Sequence, residues 1–374
     1  GTIRGISFRG GSSQNGGGIL IVDCSPVLSD LVVEDNSADN GGGIFLSGSD
    51  ATLKNIIIRN NGANLGGGVY VDQGSPSFEN VTFQENIAYR GGASYFENAT
   101  PSMFYCMISQ NEAFIEGGGI YQNGGQSTIE WTSFERNNGY DYGGSVVSYQ
   151  ASMNFDQITF SDNTSGFGSM IALYSSAIII KNSILWGNNG PLLYAPESDG
   201  VTYFNLSYSD IEGGQELFND YPNIILSSDG GIFNEDPEFC SPSEQLYELR
   251  ESSICRTSSD SLGIIGSYDG TCNILSVNQN IPTEFALFNN FPNPFNPNTC
   301  IRYSLDEYAT YSIKIFDING SLVRTLKQGY GTPGQYVVFW DSSNNIGDKV
   351  SSGVYFYQLS TEKEIATKRM VLMK

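Results

Sequence analysis

The stretch ADNGGGIFLSGSDATLKNIIIRNNGANLGGGVY, Ala38 to Tyr70, holds one glycine triplet at Gly41 and a second at Gly66, 25 residues on. Three consecutive glycines cost backbone entropy and pack nothing, so their return at a fixed interval calls for an architectural reason. Working outward, the same start recurs at Gly16, Gly41, Gly66, Gly91, Gly117, Gly143 and Gly168, always 25 or 26 residues apart. With each start as position 0, position 3 reads Ile19, Ile44, Val69, Ser94, Ile120, Val146 and Ile171. Position 12 reads Leu28, Leu53, Phe78, Met103, Ile129, Phe155 and Ile180, and position 17 reads Val33, Ile58, Phe83, Ile108, Phe134, Phe160 and Leu185. These apolar columns alternate along short segments, as the inward face of a strand must.

Position 20 has no exception: Asn36, Asn61, Asn86, Asn111, Asn137, Asn163 and Asn188. Asparagine tolerates the left-handed backbone region, and its amide both donates and accepts. Stacked in register about 4.8 Å apart, such amides form a hydrogen-bonded ladder. A 25-residue unit with two or three short strands and no helical pattern is one coil of a parallel β-solenoid. The glycine triplet is then the corner at which each coil turns into the strand at positions 3–6.

Composition agrees with an all-β protein: 44 Gly, 22 Tyr, 22 Phe, no His and a charged fraction of only 16% in 374 residues. The length favours two domains. No run of 18 apolar residues is present, so no membrane span is expected. The chain begins at Gly1 without Met or a signal-like segment and reads as a processed product or a piece of a longer chain. The net charge is −22, yet residues 281–374 carry 9 bases against 8 acids, so the acidity sits in the first 280 residues. That places a boundary near residue 280 and argues against nucleic acid, whose phosphates an acidic body repels. Acid-rich loops admit Ca2+ as a candidate ion, but no EF-hand-type loop is present. The absence of His and of any C-x-x-C pair argues against zinc.

The recurring NGGGI, followed by the pairs Pro26…Asn36, Pro76…Asn86 and Pro101…Asn111, resembles the right-handed parallel β-helix proteins. It is closest in pattern to their GGGI-repeat branch, found in surface and autotransported proteins and related to the pectate-lyase-like superfamily. The resemblance covers about residues 1–190. SDIEGG (Ser209–Gly214), EDPEFCSPSEQLYELRESSIC (Glu235–Cys255) and GIIGSYDGTC (Gly263–Cys272) are similar to the stretch that closes such helices. The expected organisation is coils over 1–200, terminal coils and a closing segment over 201–280, and a third region over 281–374. The closing segment is expected to cover one end of the solenoid, whose bare coil would otherwise offer unpaired strand edges.

Residues 281–374 alternate apolar and polar residues between Asn-Gly, Pro-Gly and Ser-Gly turn signals, which fits a small immunoglobulin-like sandwich of about seven strands. PNPFNPNT (Pro292–Thr299), IKIFDINGSLVRTL (Ile313–Leu326), FWDSSNNIGDKVSSGVYFYQL (Phe339–Leu359) and KRMVLMK (Lys368–Lys374) together resemble the type A C-terminal sorting domain of the type IX secretion system. Cys300 is the one oddity against that pattern. The resemblance implies contact with the type IX machinery during export and a final place on the cell surface or outside the cell. It makes Pro292, Asn293, Pro294, Phe295, Asn296 and Pro297 the sorting motif.

Chemistry on this fold calls for stacked carboxylates. Asp72 and Glu97 share position 6 and lie one strand spacing apart. They are weak catalytic candidates for a glycosidase-type pair, more simply read as two solvated acids. Position 4, expected to point outward, gives Leu20, then Phe45, Tyr70, Tyr95 and Tyr121. Such an exposed aromatic stripe suits stacking on sugar rings, a protein contact, or a ladder that stabilises the sheet. Position 16 (Val32, Ile57, Thr82, Met107) is also outward and apolar. Cys106 falls on an inward column and is expected to be a buried thiol too far from Cys24 to pair. Cys240, Cys255 and Cys272 cluster in the closing segment, and any two are candidates for a disulfide in an exported protein.

Finally, TIRGISFRGG aligns with the second half of a coil, Ile6 with Leu31 and Phe8 with Val33, so the first residues start mid-coil. Such an edge meets upstream chain or another molecule, and a head-to-tail contact that does not close gives a filament. The sequence thus favours an exported structural or adhesive protein, with self-association into a filament or surface layer and a glycan as candidate partners. A polysaccharide lyase or glycoside hydrolase, or a non-catalytic carbohydrate binder, is the alternative.

Overall fold

The computed structural model describes residues 1–374 apart from 243–245, 260–262, 269–284, 289, 291, 292, 298, 307, 308, 332, 333 and 374. The chain divides into two compact units, Gly1–Cys272 and Asn273–Lys374.

The first unit is a right-handed parallel β-solenoid with three lengthwise sheets. One sheet, of eight strands, takes positions 3–6 of each coil, from Ile19–Val22 to Leu193–Tyr194. A second, of 18 strands, takes positions 11–18, and a third, of seven, takes the stretch just before each glycine corner. Register is one residue against its counterpart in the next coil: Val69 pairs with Ile44 and Ser94, and Phe83 with Ile58 and Ile108. Phe8 pairs with Val33, as the alignment of the first residues requires. The inward columns form one core along the axis, with Phe78, Phe83, Phe96, Phe134, Phe155 and Phe160 fully buried. Each such side chain contributes roughly 1.5–3 kcal/mol by leaving water.

Three further corners of the coil, besides the glycine one, are left-handed. Position 7 has φ of 49–64° from Asp23 to Ser175, position 14 has φ of 49–58° from Asp30 to Asn182, and position 19 has φ of 52–56° from Asp35 to Asp162. The ladder asparagines at position 20 are not themselves left-handed, so their backbone tolerance is not what selects them. The residue just before each one makes the turn. Hydrogen bonding selects the asparagine. Asn61 Nδ2 donates to Asn86 Oδ1 at 3.0 Å and to the Val33 carbonyl at 2.9 Å, and the Asn61 backbone N–H also donates to Asn86 Oδ1, at 3.1 Å. The side-chain bond repeats unbroken from Asn36 to Asn188 at 2.9–3.0 Å. These amides stack inside the coil, where every unmatched polar group would cost about 1–3 kcal/mol.

At the corner, position 0 is left-handed, with φ of 63–70° from Gly16 to Gly168. Position 1 is glycine for another reason: a Cβ on Gly67 would stand 2.5 Å from the Gly92 carbonyl oxygen of the next coil. Position 2 is approached almost as closely, a Cβ on Gly68 standing 2.6 Å from the Ala93 carbonyl oxygen, yet three coils carry Ala93, Ser145 and Met170 there.

The described part of the closing segment is found on the flank of the solenoid rather than over its end. Residues 202–233 continue the coils through strands Thr202–Ser207, Ser209–Ile211, Ile224–Ser227 and Ile232–Phe233, with Phe218 packed on Phe204. The chain then runs back along the outside. A two-stranded ribbon, Phe239–Ser241 with Leu246–Leu249, and a turn, Ile254–Arg256, lie against the flank of earlier coils.

The second unit contains a three-stranded antiparallel sheet (Ala286–Leu287, Thr299–Leu305, Gly334–Trp340) and a four-stranded one (Ala309–Phe316, Leu322–Gly331, Gly353–Ser360, Ile365–Leu372). They enclose a core of Ile301, Tyr303, Ile313, Ile315, Trp340, Tyr357, Leu359 and Met370, consistent with a small β-sandwich.

Candidate functional site

The position-4 aromatics form a column in which ring lies on ring. Phe45 and Tyr70 are 5.2 Å apart and parallel, Tyr70 and Tyr95 are 5.2 Å apart at 6°, and Tyr95 and Tyr121 are 4.9 Å apart at 8°. The column was expected to be exposed; it is not. Phe45, Tyr95 and Tyr121 are buried, Tyr95 only 7% exposed, and Tyr70 is half-buried. The reason is a second apolar cluster outside the coil, in which Leu65 and Tyr142 from around the glycine corner and Tyr174 and Tyr194 from later strands of the same sheet pack with this column and with Val147 and Ala172. The Arg90 guanidinium, fixed to Glu116 at 2.6 Å, lies 5.9 Å from the Tyr121 ring centre. Burial, with the nearby acids, pushes the Tyr70 and Tyr121 hydroxyls up to about 12. With neighbours against both faces, the Tyr70 and Tyr95 rings have no free face on which a sugar could stack.

Asp72 and Glu97 are register partners, as expected. Their oxygens are occupied. Asn123 Nδ2 donates to both Glu97 oxygens at 3.0 Å, Asn98 Nδ2 donates at 3.1 Å, and the Tyr95 hydroxyl donates at 3.1 Å. Ser47 donates to Asp72 at 3.3 Å. Every partner is neutral, so this pair braces the end of a strand. Among the described residues no group of three or more His, Cys, Asp or Glu side chains is placed to hold a metal ion.

A different acidic pair escaped the sequence reading. Glu130 and Asp156 are register partners at position 13, and Lys181 follows in the next coil. Burial, and then Asp156, raise the Glu130 carboxyl above its usual range, and Asn182 donates to Asp156 at 2.8 Å. Reading down position 13 (Lys54, Glu79, Phe104, Glu130, Asp156, Lys181) would have found it.

A row of exposed aromatics lies on the neighbouring face, at position 23. Tyr89, Phe114 and Tyr140 are 52%, 50% and 52% exposed, and Ile87 is exposed beside them. Their rings follow one another at 5.7 and 6.0 Å. The next residue of the column is Gly166, so no side chain covers Tyr140 from that coil. On the third face the position-16 column splits. Ile57 and Met107 are exposed, whereas Ser133, Thr159, Ile184 and Asp210 are buried where the closing segment runs back.

The cysteines of the closing segment are in different states. Cys240 is disulfide-bonded, but Cys255 is free and buried, with its thiol donating to Asp210 Oδ2 at 3.3 Å. Cys272 lies outside the described residues. Cys24 is free and exposed, and Cys106 is a buried free thiol that burial pushes up to about 12.

In the second unit the sorting motif is tied to the last strand. The Phe295 backbone N–H donates to the Val371 carbonyl at 3.0 Å, the Met373 N–H donates to the Phe295 carbonyl at 2.9 Å, and Asn293 Oδ1 accepts from the Val371 N–H at 2.9 Å. The Phe295 ring is buried 5.6 Å from Trp340. Two separated sequence blocks are thus one structural piece. Pro294, Asn296 and Pro297 belong to the same turn, while Pro292 lies outside the described residues.

A solenoid of glycine-cornered coils followed by a small antiparallel unit defines a parallel β-helix protein with an appended β-sandwich. The family described as "Right handed beta helix region" matches residues 43–229, half of the chain, and "Secretion system C-terminal sorting domain" matches residues 289–373. The chain belongs to the right-handed β-helix family and ends in a type IX sorting domain, which directs it to the cell surface or the extracellular space. The tail implies interaction with the secretion machinery. No helix among the described residues is long and apolar enough to cross a membrane. Two solved structures from Porphyromonas gingivalis are similar over short stretches. Dimeric latent PorU is 22% identical over 22% of this chain and 9% of its own, with a TM-score of 0.20. PorZ, a surface component of the type IX system, is 23% identical over 25% of this chain and 12% of its own, with a TM-score of 0.18. The chain thus spans a small fraction of either protein. No curated protein matches it.

Proposed function

We propose that the solenoid is a structural or adhesive element of the cell exterior, without catalysis, and that its contact surface is the row Ile87, Tyr89, Phe114 and Tyr140. The observation that carries this reading is the contrast between the two aromatic columns. The position-4 rings are consumed by mutual stacking, while the position-23 rings stand half in water on a rigid sheet. Exposed apolar groups on a preformed surface favour association, since little conformational freedom is lost on contact. Phe45, Tyr70, Tyr95 and Tyr121 then serve as a stabilising ladder beneath the corner. Self-association into a filament or layer is one form of this function.

The test is a triple variant, Tyr89→Ser, Phe114→Ser and Tyr140→Ser, compared with the unsubstituted chain in adherence to surfaces, glycan-array binding and negative-stain microscopy. Loss of adherence or of assemblies, with circular dichroism unchanged, supports the reading. Unchanged contact in all three assays overturns it.

A second reading, a polysaccharide lyase or glycoside hydrolase, has one observation in its favour: the half-buried Glu130 beside Asp156, with Lys181 next in line. New reducing ends or unsaturated products from a polysaccharide panel, abolished by Glu130→Gln, would replace the first reading with this one.

A further inference from the structure

The flank of the solenoid at position 16 carries Ser133, Thr159, Ile184 and Asp210 on four successive coils. The returning segments 237–242, 246–259 and 263–268 lie along this column and engage it coil by coil. The Tyr268 hydroxyl contacts Glu135 and Ser133, and the Ser267 N–H donates to Thr159 Oγ1 at 2.9 Å. The Gly266 N–H donates to the Asn182 carbonyl at 2.7 Å, and Gln157 Nε2 donates to the Ile264 carbonyl at 3.1 Å. The Tyr247 hydroxyl donates to Asp162 at 2.7 Å, the Arg136 guanidinium donates to the Pro242 carbonyl, and Cys255 donates to Asp210.

This junction differs in kind from the rest of the unit. Coil meets coil through continuous backbone ladders and an apolar core, whereas strap meets flank mainly through side-chain hydrogen bonds. Two of the acceptors, Glu135 and Asp210, are carboxyls sealed from water, 4% and 0% exposed. A sealed carboxyl favours its neutral form unless a cation is paired with it. Around Glu135 stand Tyr268 and Glu248 from the strap, with Ser133 and Arg136 from its own coil. Arg136 is shared with the Pro242 carbonyl and lies 3.8 Å from Asp162, so it does not neutralise Glu135 alone. Around Asp210 stand Cys255 from the strap, the Glu235 N–H, which donates at 3.1 Å, and the charges of Glu235 and Asp236; no cation is among them.

We infer that segments 237–242, 246–259 and 263–268 form a detachable strap, latched to the flank of the coils at the sealed carboxyls Glu135 and Asp210, and that ionisation of these two groups releases it while the coils stay intact. The latched state holds both protons to about pH 7, against ordinary values of 4.5 and 3.8, with burial the leading cause at each. The latch is therefore complete in mild acid and weakens as pH rises through 7. From pH 6 to pH 8 each group shifts the opening equilibrium by about tenfold, so the pair shifts it roughly a hundredfold.

The chain carries its own reporters. Cys24 is exposed, Cys255 is on the strap's inner side, sealed against Asp210, and Cys106 lies inside the coils. The full chain, its disulfide intact, is labelled with iodoacetamide from pH 6 to pH 8.5, and each cysteine is quantified by mass spectrometry. Dividing the Cys255 rate by the Cys24 rate removes the ordinary pH dependence of thiol reactivity. The expected result is a Cys255:Cys24 ratio that rises by roughly a hundredfold from pH 6 to pH 8, and by only about tenfold in Glu135→Gln, with Cys106 unlabelled throughout. A ratio that is flat with pH, or Cys106 becoming reactive together with Cys255, overturns the inference. Should Glu135→Gln fail to fold, its Cys106 will label at every pH, and the result with the unsubstituted chain decides by itself.

Discussion

At the scale of a residue, this fold is specified by what each position must not be. Position 1 of the corner is glycine in six of the seven coils, where the next coil's carbonyl occupies the space a Cβ would need, with Ser169 in the last, and position 20 must present both a donor and an acceptor inside the coil. Gly67→Ala is expected to misfold the chain or lower its denaturation midpoint sharply, since its Cβ would meet backbone at 2.5 Å. Gly62→Ala, whose Cβ would meet nothing within 4 Å, should stay within about 0.5 kcal/mol of the unsubstituted chain in urea unfolding. Asn86→Ala removes two bonds accepted from Asn61 and two donated, to Ile58 and Asn111. With several buried groups left unmatched, a loss of about 3 kcal/mol or more is expected. Asn188→Ala, at the half-exposed end of the ladder, should cost about 1 kcal/mol because water replaces what is lost. Equal costs at Asn86 and Asn188 would contradict the ladder as a buried, cooperative feature. Both rules were readable in the sequence, since a fixed period turns a three-dimensional stack into a column of letters. Only the local reason was misread: the left-handed residue is the one before each asparagine.

At the scale of the element, the sequence specifies which residues share a row but not what lies over the row. Tyr70, Tyr95 and Tyr121 align as the period requires, yet the cluster that buries them also takes in Tyr142 from around the corner, Tyr174 from position 6 of a later coil and Tyr194, the register partner of Ala172 after an irregular coil. The same limit hid the row Tyr89, Phe114 and Tyr140: its residues were in the text, but nothing in an alternation pattern says that this face stays bare. The path of the strap was beyond reach for a stronger reason. Contacts such as Glu135 with Tyr268 join a repeat to a non-repetitive segment 133 residues away. The aromatic column gives a discriminating prediction. Tyr95→Ala removes a ring stacked on both sides and should destabilise the solenoid by about 3–5 kcal/mol in chemical denaturation. It should leave any adherence per folded molecule unchanged. Tyr89→Ala, on the exposed row, should do the reverse, with stability within about 1 kcal/mol and adherence reduced. An exchange of these two outcomes would return the contact surface to the position-4 column.

At the scale of the whole molecule, the two units answer acid in opposite ways. In the solenoid unit, burial raises Glu135 and Asp210 to about 7. A carboxyl raised on folding adds stability below its unfolded value, and that stability is lost as pH climbs through the folded value. The solenoid should therefore be most resistant to heat near pH 5 and less so at pH 8, a trend strengthened by the repulsion among its many acids. In the second unit, burial acts against ionisation of Asp341, but hydrogen bonds from Ser343 and the charges of Arg324 and Lys349 outweigh it and hold the carboxyl down at about 2. A depressed carboxyl adds stability above its unfolded value of about 3.8, and this is lost as pH falls towards 2. Calorimetry of the full chain should then show two transitions that move apart with pH. From pH 8 to pH 5 the solenoid transition should rise while that of the sorting unit stays level; from pH 4 to pH 2.5 the sorting-unit transition should fall. Glu135→Gln should flatten the first change, and Asp341→Asn the second. If the two transitions instead keep a constant separation from pH 8 to pH 2.5, the buried carboxyls do not govern the acid response, and the latch assigned to the strap loses its energetic basis as well.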